Sequence, residues 1–120
     1  MLPIEDEAVF QKIVMLRDDG LLHDAMEVLQ PLIMKYPAHA GLWLFSGHLH
    51  KEAKEYSYAI QCFAKATTLR PDHELASLGL FHSLWKNGLQ VEALQEAERF
   101  LALADCPDYR DIIQKIDEVE

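Results

Sequence analysis

Three stretches of the chain lie in register at an offset of 34 residues. Ala25, Ala59 and Ala93 fall at one position of this period. Gly20 and Gly88 share a second, with Lys54 between them, and Pro37 and Pro71 share a third, which Asp105 fills in the last copy. Leu29, Phe63 and Ala97 align, as do Leu32, Ala66 and Phe100. A period of this length constrains the fold more than any composition does. It means one supersecondary unit built several times and stacked, because a single unit cannot bury its apolar face alone.

The middle copy is the most specific. From Ala40 to His73 it carries Trp43, Ser46, Gly47, His50, Ala59, Phe63 and Pro71 in register with the pattern W-x2-L-G-x2-Y…A-x3-F…P. Ser46 stands where Leu is usual and His50 where Tyr is usual. On these residues the chain resembles the tetratricopeptide repeat family. The resemblance implies an all-α solenoid forming a single domain over 1–120, with three repeats at 6–39, 40–73 and 74–107. Each repeat would be two antiparallel helices joined by a tight turn. The recurrent alanine then sits where the helices approach most closely. Gly20 and Gly88, after Asp19 and Asn87, suit a helix ending in a left-handed residue. Pro37 and Pro71 mark the ends of second helices, which they cannot continue.

First helices are expected at about 5–18, 40–52 and 74–86, and second helices at about 22–35, 56–69 and 90–103. After Pro107, Asp108 is a capping residue, and Tyr109, Ile112, Ile113 and Ile116 recur at helical spacing. This segment, 108–120, reads as a seventh helix that covers the open face of the last repeat. The N-terminus has no equivalent cap.

The resemblance also implies a binding surface. In this family the first helix of each repeat lines a concave groove, through positions 2, 5, 9, 12 and 13. Here these are Glu7, Phe10, Val14, Arg17 and Asp18; Gly41, Leu44, His48, Lys51 and Glu52; and Leu75, Leu78, His82, Trp85 and Lys86. The expected floor is apolar, with Phe10, Leu44 and Leu78 in one row and Val14, His48 and His82 in the next. Lys51, Trp85 and Lys86 are expected at one edge. Family members that clamp a C-terminal carboxylate use Lys in the first row and Asn in the second. Leu, His and Val replace them here, so capture of an acidic C-terminal tail is not expected. An apolar floor with a mixed rim suits an amphipathic helix or an extended apolar segment. Two readings stand for Trp85: a binding anchor, or packing against the seventh helix. Trp43, at a motif position, is expected in the core.

Catalytic and cofactor chemistry find no support in the residues. No nucleophile motif, HExxH or phosphate-binding glycine loop occurs, and no enzyme is proposed. The chain has six histidines. His48 and His50 point away from each other on a helix, and His48 and His82 could approach across the groove with only Glu52 as a further ligand. No metal site and no cofactor are expected. Cys62 and Cys106 match no zinc or redox spacing and read as free thiols of a reducing compartment, the cytoplasm. Cys62 is expected half-buried. The start of the chain lacks the charge and apolar run of a secretory signal, and no apolar run is long enough to span a bilayer.

The formal charge is −9, from 20 acidic and 11 basic residues. That balance repels nucleic acid and anionic membranes. Three functions fit. The first is a non-catalytic module that binds one segment of a protein partner in its groove, similar to the small bacterial export chaperones that shield an apolar helix until secretion. The second is an acidic immunity or inhibitor protein that covers a basic toxin. The third is an assembly subunit that docks through Met1–Asp19. Oligomeric state is left open.

Overall fold

The computed structural model describes residues 2–119; Met1 and Glu120, the outer ends of the expected docking segment and capping helix, lie outside it. Seven α-helices and no strand occur among the described residues. They are α1 (Ile4–Asp18), α2 (Leu22–Lys35), α3 (Ala40–Glu52), α4 (Tyr56–Leu69), α5 (Glu74–Lys86), α6 (Gln90–Leu101) and α7 (Pro107–Val119). Each packs on its chain neighbours from α1 to α6, and α3 also touches α5. The result is elongated, 50 × 27 × 19 Å, as stacking of helix pairs along one axis requires.

Two helix ends differ from expectation. α6 stops at Leu101 rather than 103, because the amides of Leu103 and Ala104 both bond to the Phe100 carbonyl and the last turn unwinds. α7 starts at Pro107, one residue before Asp108. A proline suits the first helical position, where its missing N–H would have no partner.

The repeated sequence positions produce repeated local physics. Gly20, Lys54 and Gly88 all adopt left-handed backbone, with φ of 80°, 61° and 82°. In each turn the next residue's amide reaches back five residues, Leu21 to Leu16, Glu55 to His50 and Leu89 to Leu84, at 2.8–2.9 Å. These are Schellman turns, which satisfy carbonyls at the helix end. At the start of α3 and α5, His39 and His73 cap the helix. Each Nδ1 accepts an amide three residues on, from Leu42 and Ala76, at 3.3 Å.

Ala25, Ala59, Ala93 and Ala97 are fully buried at the helix crossings. One core cluster, with Ile13, Leu29, Leu32, Ile33, Leu42 and Leu49, lies under α1–α3. The other lies under α4–α7 and is built around Phe63, Phe81, Phe100 and Tyr109. Trp43 is half-buried at the margin of the first cluster, not inside it. Its indole N–H donates to the Pro37 carbonyl at 2.8 Å and ties the loop before α3 to the helix. Cys62 is buried rather than half-buried, 3.3 Å from Ser46 Oγ. The small Ser46 in place of the usual leucine leaves room for that thiol. Cys106 is fully buried. Burial pushes both thiols above their ordinary pKa.

Two polar knots fix the ends of the stack. At the N-terminal end, Asp6 of α1 accepts bonds from Lys35, at 3.0 Å, and from the Tyr36 hydroxyl. At the C-terminal end a buried chain of bonds joins three helices. Ser77 Oγ of α5 donates to Glu96 of α6 at 2.7 Å and lies 2.6 Å from the Tyr109 hydroxyl of α7. Because the serine proton is committed to Glu96, the tyrosine is the donor to Ser77. Arg99 closes the knot with bonds of 2.6 and 2.8 Å to Glu96.

Candidate functional site

The residues expected along the groove separate into three settings. At the N-terminal end, Phe10 is half-buried edge-on to Phe45, with ring centroids 5.1 Å apart, and lines a shallow cleft with Leu2, Glu7 and Gly41. Val14 is half-buried on the same helix. Arg17 lies 5.1 Å over the Phe45 ring and pairs with Asp18 at 3.0 Å, so its charge is already engaged. Leu44 and Leu78, expected as floor, are half-buried and pack against the Phe63–Phe81 cluster.

An opening lies between α3 and α5, and polar and charged side chains line it. A cleft of about 420 Å³ is lined by His48, Lys51, Glu52, Tyr56, His82 and Lys86. Neither Lys51 nor Lys86 is in an ion pair among the described residues. Lys51 and Lys86 line this cleft together with the two histidines, whereas Trp85 lines a different one. The His48 ring stands edge-on to Phe63, centroids 5.0 Å apart. Burial holds the pKa of His48 below the ordinary imidazole value, and the charges of Lys51 and Arg17 lower it further. His82 is lowered in the same way by burial and then by Lys51, with Asp108 opposing and Lys86 adding. Both imidazoles thus favour the neutral form.

A second cleft of about 250 Å³ opens between α5 and α7, lined by Phe81, His82, Trp85, Ile112, Lys115 and Ile116. Trp85 stacks on Phe81 with centroids 5.8 Å apart and planes at 22°. It is half-buried, so one part of the ring completes the core and the rest faces this cleft. Trp85 therefore packs against the core cluster and also borders the cleft beside α7.

All six histidines have structural settings: His39 and His73 cap helices, and His23 and His50 contact Glu55 at 3.3 and 3.1 Å. Only His48 and His82 line the cleft. No cluster of three or more metal-ligating side chains occurs among the described residues. No helix among the described residues is long and apolar enough to cross a membrane.

Ile112, Lys115 and Ile116 were not among the expected site residues. The signal for two of them was present, since Ile112 and Ile116 stand 34 residues after Leu78 and His82. Tyr56 had no such signal. It opens α4 and reaches the cleft through the α3–α4 turn.

No family model and no curated protein matches the chain. Solved structures do. A chain of the CopN–Scc3 complex is similar with a TM-score of 0.80 at 17% identity, covering 99% of this chain and 71% of that one. The Yersinia enterocolitica type III secretion chaperone SycD, in complex with a peptide of the translocator YopD, is similar with a TM-score of 0.79 at 15% identity, covering 98% and 90%. MamA from Desulfovibrio magneticus RS-1 gives 0.74 at 18% identity, and this chain spans 55% of it. These are tetratricopeptide-like helical-repeat proteins, and the chain has that fold.

Proposed function

We propose that the chain is a non-catalytic protein-binding module that holds one segment of a specific partner on the face built by α1, α3, α5 and α7, in the manner of a secretion chaperone. The three repeats would be 6–39, 40–73 and 74–107. The observation that carries the reading is the pair of adjoining clefts on this face, which place charged, imidazole and aromatic side chains side by side. Such a surface has the features of peptide recognition: a few anchoring aromatics among polar groups that set orientation. The similarity to a chaperone structure that contains a translocator peptide supports the same reading. A bacterial cytoplasm suits the two free, buried thiols.

The test is capture from a lysate of the source cells at low and high salt, with wild type and a His82→Glu/Lys86→Glu variant as baits. Both positions are exposed, so the fold is expected to persist. Leu44 and Leu78 are unsuitable as probes because their side chains pack on the core. One dominant partner, retained at high salt and lost in the variant, is the expected result. A partner lost at high salt yet kept by the variant would instead favour an acidic inhibitor acting through the outer surface.

A further inference from the structure

The two clefts are walls of one continuous surface. They share His82, and α7 occupies the place of a fourth first helix. Ile112 extends the row Phe10, Leu44, Leu78, and Ile116 extends the row Val14, His48, His82, each at the same 34-residue step. The seventh helix is therefore part of the groove as well as its cap.

The two clefts differ in chemistry. Between α3 and α5, two lysines that make no ion pair among the described residues stand with Tyr56, in a chain whose formal charge is −9. A locally cationic recess on an acidic protein is complementary to an anion. Glu52 lines the same recess, and Asp108 acts on His82 from α7. These acids oppose a run of negative charge but leave room for a single carboxylate. Between α5 and α7 the lining is the Phe81–Trp85 stack with Ile112 and Ile116, which suits a branched aliphatic chain.

Spacing selects the form of the ligand. Neighbouring packed helices lie about 8–10 Å apart. In a polyproline-type extended segment, side chains three residues apart point the same way and are separated by about 9 Å. One turn of α-helix advances about 5.4 Å, which falls short, and two turns advance about 10.8 Å, which overshoots that spacing.

Resting on the groove reading above, we infer that the two clefts form one bipartite site for an extended partner segment carrying an acidic and a large aliphatic side chain three residues apart. The carboxylate sits between Lys51 and Lys86, and the aliphatic chain sits on Trp85, Ile112 and Ile116. The group recognised is an internal side chain, not a chain terminus.

The probes are capped, proline-flanked eight-residue peptides with Glu and Leu three residues apart, in both chain directions, titrated into isotope-labelled protein by NMR. The matching peptide shifts the Trp85 indole resonance and leaves that of Trp43, which is held on Pro37. Replacing its Glu by Gln weakens binding about fivefold. Replacing its Leu by Ala weakens it about tenfold. In the Lys51→Ala/Lys86→Ala variant, whose fold is checked by circular dichroism, the Glu/Gln preference disappears and the Leu/Ala preference stays. Equal affinity for Glu and Gln peptides, or a preference that survives in the variant, overturns the inference while Trp85 shifts still support groove binding. No shift at Trp85 with any peptide overturns both.

Discussion

A Cβ added to Gly79 would lie 2.5 Å from Cε1 of Phe63. The Phe63 ring is wedged between Gly79 of α5 and Gly47 of α3, where an added Cβ would come within 2.8 Å. Both glycines are required by the space the ring takes up, and the ring in turn sets how closely α3, α4 and α5 approach. Gly79→Ala is expected to destabilise the fold by about 1–3 kcal/mol, the usual cost of overpacking a core. Denaturant titration would show it. An unchanged midpoint would mean that the three helices can separate without penalty.

Lys54 occupies the left-handed position that glycine fills in the other two turns. A side chain there costs about 1–2 kcal/mol relative to glycine, offset in part by the greater freedom of glycine in the unfolded chain. Lys54→Gly is expected to raise stability by about 1 kcal/mol, measured by thermal or denaturant unfolding. The same change at exposed, right-handed Lys65 should lower it.

Tyr109 is the anchor of α7. It is fully buried, and its pKa is pushed well above the ordinary phenol value by burial, with nearby Glu96 adding to the effect. Tyr109→Phe keeps the ring and removes only the bond to Ser77. A loss of about 1–2 kcal/mol is expected. It should appear in hydrogen exchange as faster opening of α7, with α3 and α4 unaffected.

The Asp6 knot gives the protein an acid limit. Bonds from Tyr36 and then Lys35 hold the Asp6 carboxyl below its ordinary value of 3.8. A depressed carboxylate stabilises the fold above its unfolded pKa, and the contribution is lost as pH falls through the folded one. Wild type should therefore lose more stability than Asp6→Asn between about pH 4 and pH 2. Equal slopes in urea titrations across that range would remove Asp6 from the account.

The helices and turns were legible in the sequence because they follow from residues recurring at a fixed step: Ala25, Ala59 and Ala93 at the crossings, Gly20 and Gly88 in the turns. The sequence groups His48, Lys51, His82 and Lys86 on one face, with the two histidines as neighbours, and in the structure the four line one cleft. Which side of a helix faces its neighbour depends on helix rotation, which a repeat pattern does not specify. Lys51 and Lys86 thus read as a rim when they line a recess. The Ser77–Glu96–Tyr109 knot joins residues 19 and 32 positions apart and has no local signature. The role of α7 is half legible: its apolar spacing marks a cap, while its place beside the groove follows from the continued period at Ile112 and Ile116.

The most direct test of the central claim is an NMR footprint of the captured partner segment on the labelled protein. The account predicts that the largest shifts fall on His48, His82, Trp85 and Ile116, along α3, α5 and α7. Shifts confined to the exposed surfaces of α2, α4 and α6 would contradict it.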